Sequence, residues 1–220
     1  MKRVVLIFTL MSFCFGSKAS TYFDVTITGE GAPVIFIPGL GCHGDVWEHT
    51  VKHMPAKYEC HVFTLAGFAG TAPFDISKGF LPTIQNALVA YISDSLSQKP
   101  ILIGHSLGGY LALAISSANP DLTAKVVVVD AYPSMAKSLD AKMKEKEMYQ
   151  RADWMKTQLF AMTDSAFLAQ QKYGVTTLVN NIDDQAKVLE WSIASDRGTF
   201  VQAMYEVMVG DLIRAIKRIK

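Results

Sequence analysis

Apolar positions along this chain come in two textures. Up to about Asp130, short runs rich in β-branched and aromatic residues alternate with longer stretches of helical spacing; over residues 134–220 the helical spacing continues almost alone. Residues 22–28 alternate in part and end at Gly29-Glu30-Gly31, which predicts an exposed-edge strand leading into a hairpin. Pro33-Val34-Ile35-Phe36-Ile37 is continuously apolar and stops at Pro38-Gly39, as expected of a strand covered on both faces. Similar runs at Tyr58–Leu65, residues 100–103 and Lys125–Val129 predict further parallel strands. Helices are expected over residues 43–53, 81–98 and 107–118 between them. Strand alternating with helix predicts an α/β fold, a mostly parallel, doubly wound sheet with helices on both faces. Residues 134–220 are rich in Lys, Met, Ala and Gln, with one brief β-like run at residues 175–179, and read as a helical lid.

The first nineteen residues stand apart. Lys2 and Arg3 precede an apolar run over residues 4–15, and Ser17-Lys18-Ala19 supplies a small-residue site, the three parts of a secretory signal peptide. Such a run falls short of the ~20 residues that cross a bilayer, so cleavage after Ala19 and export to the periplasm or medium are expected. Residues 20–133 then form the α/β core and 134–220 the lid with a helix leading back toward the core.

With 220 residues, 50% of them hydrophobic and 19% charged, the chain can bury one sizeable core. A formal charge of +1 gives no field that argues for nucleic acid or an anionic membrane surface, and small molecules are the expected partners. Cys42 and Cys60 lie beyond the predicted leader, where a disulfide and two buried free thiols are both open.

Gly104-His105-Ser106-Leu107-Gly108-Gly109 directly follows the apolar run Ile101-Leu102-Ile103 and opens a helical segment. A serine on a sharp strand-to-helix turn sits in strained backbone and needs tiny neighbours two residues either side, which Gly104 and Gly108 supply. The helix start places the Leu107 amide toward an oxyanion formed beside Ser106. A second amide donor is expected from Leu40 in the glycine-rich turn Pro38-Gly39-Leu40-Gly41.

These two segments, with Trp47 after the first, resemble the α/β-hydrolase fold superfamily over residues 22–133. Leu65-Ala66-Gly67-Phe68-Ala69-Gly70 sits where relatives carry an Asp-x-x-Gly-x-Gly turn, with Ala66 in place of the Asp. The resemblance implies Ser106 as nucleophile, then an acid, then a histidine last in the chain. Asp130 stands at a strand end that a minority of relatives use for the acid. All five histidines, His43, His49, His53, His61 and His105, precede Ser106, so the sequence is expected to stop before the last strands, the C-terminal helix and the family's histidine. The implied function is an exported serine hydrolase cleaving an ester, thioester, lactone or related acyl bond through an acyl-enzyme, needing no metal and no cofactor. The alternative is a non-catalytic protein of the same fold that binds an apolar small molecule.

Overall fold

The computed structural model describes residues 16–220, with side chains from Ser20 onward. The apolar run of the predicted signal peptide, residues 4–15, lies outside the described residues. Six strands, β1 (Gly16–Ala19), β2 (Phe23–Thr28), β3 (Ala32–Ile37), β4 (Tyr58–Leu65), β5 (Ile101–His105) and β6 (Lys125–Val129), form one sheet in the order β1-β2-β4-β3-β5-β6. β1 and β4 flank β2 antiparallel, and every pair from β4 through β3 and β5 to β6 is parallel. β3 sits inside the parallel part with Val34, Ile35, Phe36 and Ile37 all at 0% exposure, the two-faced burial its unbroken apolar run predicts.

Two expectations for residues 22–28 are corrected. β2 is not the edge, because the backbone of β1 pairs outside it, with Ala19 opposite Asp24. Nor do β2 and β3 form a hairpin, because β4 lies between them. The connecting glycines show why: a Cβ on Gly29 would stand 2.5 Å from the Tyr58 carbonyl oxygen and one on Gly31 2.2 Å from that of Lys57. The turn is pressed onto the start of β4, which takes the place beside β2 that β3 would fill in a hairpin.

Helices α2 (Phe80–Ser95) and α3 (Leu107–Ala118) cover one face, where Phe63, Leu65, Ile84, Leu88, Leu102, Leu111 and Ile115 are fully buried. Each such side chain contributes roughly 1.5–3 kcal/mol through burial. On the other face a 3₁₀ turn (Gly44–Trp47) and α1 (Glu48–Lys52) close a smaller cluster of Val34, Phe36, Trp47 and Cys60 over β3 and β4. The same face of β6 is uncovered, leaving Val127 and Val129 at 44% and 40% exposure.

Beyond β6 come α4 (Met135–Leu139), α5 (Glu145–Ala161), α6 (Asp164–Leu178), α7 (Ile182–Ala194) and α8 (Arg197–Val209). Side chains of Thr163, Asn181 and Asp196 cap the last three by accepting amide hydrogen bonds. The β-like run at 175–179 is absorbed into the end of α6. Where a helix leading back toward the core is expected, residues 211–220 are instead an irregular segment holding one 3₁₀ turn, Ala215–Arg218, with the Leu212 amide donating to the Pro133 carbonyl at 2.7 Å. None of the described helices is long and apolar enough to cross a membrane.

Candidate active site

Ser106 stands between β5 and α3 with φ 51° and ψ −117°, a left-handed backbone that L-residues other than glycine avoid. Its neighbours explain how the chain tolerates the turn. A Cβ on Gly104 would lie 2.1 Å from the Gly108 carbonyl oxygen, and one on Gly108 2.2 Å from that of Ile37. β3, β5 and α3 meet here at backbone contact, and any side chain would push them apart. The Ser106 carbonyl accepts the Tyr110 amide at 3.0 Å and starts α3, while the Ser106 amide donates to the Val129 carbonyl at 3.0 Å. Its own N–H is thus occupied. The Leu107 amide, in the first turn of α3, has no intrahelical acceptor and carries the positive end of the helix dipole.

The glycine-rich turn after β3 lies directly alongside. A Cβ built on Gly39 would be 3.5 Å from the Ser106 Cβ, and the Gly39 carbonyl closes the turn by accepting the Cys42 amide at 3.2 Å. Leu40 is thereby brought next to Ser106, and its side chain anchors in the main core.

Over its first strands and this turn the chain repeats one known architecture, and the model of the alpha/beta hydrolase family matches residues 34–218. The chain belongs to the alpha/beta hydrolase family. It is 28% identical over 113 residues to a pimeloyl-[acyl-carrier protein] methyl ester esterase of Aliivibrio salmonicida, a match covering 49% of this chain and 39% of that protein. It is 30% identical over 121 residues to the karrikin insensitive 2 receptor CA of Petunia hybrida, covering 53% and 45%. The chain thus spans less than half the length of these relatives in either match. Among solved structures, a hydrolase from Pseudomonas aeruginosa superposes with a TM-score of 0.71 at 11% identity over 96% of this chain and 78% of that one, which is a likeness of fold.

Within this hydrolase fold the remaining candidates separate. Asp130 follows Val129 at φ 47°, exposed at the end of β6, so it adjoins the strand that holds the Ser106 amide. His105 turns away from α3: its ring lines a cavity of about 210 Å³ with Val46, Trp47, Thr50 and Val129 on the uncovered face. Its Nδ1 is buried without a partner. Burial lowers the His105 pKa, opposed by the nearby Asp130 carboxylate. His61 is buried at 2% exposure, its Nδ1 2.7 Å from the Tyr91 hydroxyl and its Nε2 2.8 Å from Glu59. His43 caps the 3₁₀ turn by accepting the Asp45 amide at 3.1 Å, with its ring 5.8 Å from that of Trp191. His53 bonds the His49 carbonyl, and His49 is exposed on α1. His43, His53 and His61 are thus committed to other partners, and His105 faces the side of the sheet opposite α3.

Cys42 and Cys60 are both free thiols. Burial pushes the Cys42 thiol up to about 11 and raises that of Cys60, so both stay protonated thiols at neutral pH.

Nothing in the sequence signals how α8 seats on the turns that follow β3 and β4. Ser195, just before α8, accepts the Ala69 amide at 2.9 Å and lies 3.4 Å from the Gly41 carbonyl, touching the turns that follow β4 and β3. The Asp196 amide donates to the Gly67 carbonyl at 2.8 Å, and a Cβ on Gly41 would meet the Phe200 ring at 3.0 Å. Farther along α8, Glu206 accepts the Phe80 and Leu81 amides at 2.9 and 2.6 Å, capping α2, whose own N-cap is Gly79. Only that missing cap is visible in sequence. Of the apolar residues after Ser134, Met143 and Met148 are buried around Ala136, and Phe167 packs edge-on against Phe200. Trp154 and Phe160 are 67% and 48% exposed.

Proposed function

We propose that the chain is an exported serine hydrolase that cleaves an ester, thioester, lactone or related acyl bond through an acyl-enzyme on Ser106. The observation that carries this reading is the Ser106 turn, a strained residue kept between two glycines that admit no Cβ. A protein that only needed the fold would relieve that strain.

In the proposed step the Ser106 oxygen attacks the acyl carbon and its proton passes to a base. The carbonyl electron pair moves onto oxygen, where the Leu107 and Leu40 amides hold it. Collapse reforms the carbonyl and expels the alcohol or thiol, which takes up the proton; water then cleaves the acyl-serine by the reverse sequence. Asp130 is the candidate to orient the base. His43, His53 and His61 hold other partners and His105 faces away from α3, so an external base is expected to speed the reaction of Ser106 with an acylating probe in these 220 residues. The printed name of the Aliivibrio relative, a methyl ester esterase, is in keeping with an acyl ester substrate.

The test is labelling of the 220-residue protein with a fluorophosphonate probe, with and without imidazole as an external base, beside Ser106→Ala. The expected result is slow labelling of Ser106 that imidazole accelerates and Ser106→Ala abolishes. Labelling that is absent under every condition would overturn the reading. It would leave the second one, a non-catalytic binder of an apolar small molecule, which the receptor name of the Petunia relative favours.

Export is part of the same proposal. Cleavage after Ala19 would remove β1 and leave β2 as the sheet edge, and N-terminal sequencing of the secreted protein distinguishes Ser20 from Met1 as the first residue.

A further inference from the structure

We propose that Ser195 is a positioning residue for acyl transfer at Ser106: its hydroxyl, at the junction of α7 and α8, holds the turn after β3 so that the Leu40 amide keeps its aim on the oxyanion. This deepens the hydrolase reading and rests on it.

Gly39, Leu40, Gly41 and Cys42 form a four-residue turn, closed by the Cys42 amide donating to the Gly39 carbonyl at 3.2 Å. Gly41, its third residue, stands at φ 68° and Leu40, its second, lies outside the left-handed region, which makes it a type II turn. Two peptide groups are thereby joined in series. One carries the Gly41 carbonyl and the Cys42 amide; the other carries the Gly39 carbonyl and the Leu40 amide. A donor on the Gly41 carbonyl both fixes and polarises the first group, and the hydrogen bond between the two passes that on to the Leu40 N–H.

Ser195 stands at the head of this series. Its buried hydroxyl shares one proton between the Trp191 carbonyl at 2.9 Å and the Gly41 carbonyl at 3.4 Å, and accepts the Ala69 amide at 2.9 Å. A Cβ on Gly41 would lie 3.5 Å from this oxygen and 3.0 Å from the Phe200 ring, so hydroxyl and ring hold Gly41 together. Ser195 is itself braced. The Gly70 amide donates to the Ala194 carbonyl at 3.2 Å and the Asp196 amide to the Gly67 carbonyl at 2.8 Å, which laces residues 194–196 to the turn after β4. β4 pairs with β3, so a residue fixed on the turn of one strand bears on the turn of its neighbour. An apolar side chain of the same size would fill the space and supply neither the donor for Gly41 nor the acceptor for Ala69. Because Gly41 takes the longer branch of the shared proton, loss of the hydroxyl should misplace the Leu40 amide rather than remove it.

Labelling of Ser106 by a fluorophosphonate with imidazole present, followed against probe concentration, tests this in the 220-residue protein. Ser195→Ala is expected to lower the limiting rate by about tenfold and to leave the concentration for half-maximal rate unchanged, against roughly 10²–10³-fold for loss of a whole oxyanion donor. Ser195→Thr keeps the hydroxyl and should label near the parent rate. Ser192→Ala removes another buried hydroxyl of α7, whose bond to Gln171 at 2.7 Å joins α7 to α6, and should label like the parent. Leu40→Pro deletes the amide proton at a position where a type II turn accepts proline, and in that background Ser195→Ala should slow labelling no further. Hydrogen exchange reads the turn itself: the Cys42 amide should exchange faster in Ser195→Ala and at the parent rate in Ser192→Ala. An unchanged limiting rate in Ser195→Ala, or the same loss with Leu40→Pro present, would overturn the role of Ser195 while labelling of the parent upholds the hydrolase reading. A parent that never labels would overturn both.

Discussion

The Ser106 amide donates to the Val129 carbonyl across 3.0 Å, so the candidate nucleophile is tied to the last residue of the outermost strand. The bond occupies the Ser106 amide, so in the proposed reading the oxyanion falls to the Leu107 and Leu40 amides. It also fixes a strained residue from the β6 side while Tyr110 holds its carbonyl from the α3 side. Strain persists where the surroundings over-determine it, and here two elements do so.

That strain should be measurable. At φ 51° and ψ −117° a serine costs about 1–3 kcal/mol relative to glycine. Ser106→Gly is therefore expected to stabilise the protein by about 1 kcal/mol, raising the thermal midpoint by about 2–4 °C. Ser106→Ala keeps the Cβ and should leave it unchanged. Thermal unfolding of the three proteins together decides the matter, and equal midpoints would mean the turn is unstrained.

Gly108 and Gly174 predict opposite outcomes for the same substitution. A Cβ on Gly108 would meet the Ile37 carbonyl at 2.2 Å and that of Pro38 at 2.6 Å, backbone atoms with no freedom to swing aside. Gly108→Ala is expected to cost about 2–3 kcal/mol and to slow labelling of Ser106. Gly174, within α6, meets nothing inside 4 Å, and Gly174→Ala should gain up to about 1 kcal/mol from helix propensity. Urea midpoints of the two variants give the contrast.

Glu206 should behave as a cap rather than as a surface carboxylate. Its two oxygens accept the Phe80 and Leu81 amides at the start of α2, 126 and 125 residues away in sequence, and Gln202 donates to one of them. Glu206→Ala is expected to cost about 2 kcal/mol, and Glu206→Gln, which keeps one acceptor, about half as much. Faster hydrogen exchange confined to the first turn of α2 and to α8 is the signature; unchanged exchange there would assign Glu206 no capping role.

The reach of sequence reasoning follows from the range of each interaction. β4, α3 and β6 fall on their predicted residues because a short run of β-formers or a Leu- and Ala-rich stretch of helical length is a local signal. The inward or outward side of the sheet was legible too, since alternation alone turns His105 away from α3. Pairing was not: the alternation of β2 suits any neighbour, and what inserts β4 is the contact of Gly29 and Gly31 with Tyr58 and Lys57. The seating of α8 on these turns was hidden for the same reason. Ser195 reaches Ala69 across 126 residues and Gly41 across 154, and neither serine nor glycine at those positions carries a periodic signal.

One buried and one half-buried imidazole should make the protein acid-sensitive well above the range in which carboxylates titrate. Burial lowers the pKa of His61 and of His105 from the ordinary 6.5, with Glu59 opposing the shift at the first and Asp130 at the second. The bonds at His61 fit a neutral ring: Nε2–H donates to Glu59, and Nδ1 accepts from a Tyr91 hydroxyl pushed up to about 12 by burial. Below pH 6.5 the unfolded chain takes up protons that the folded one refuses, so stability falls as pH falls, by up to about 1.4 kcal/mol per pH unit for each ring. Above 6.5 both states hold neutral rings and these two groups leave stability flat. Urea unfolding between pH 5 and 8 should show this slope, and His105→Asn should remove its share without moving the plateau. A variant that loses stability on acidification as steeply as the parent would place the acid sensitivity elsewhere.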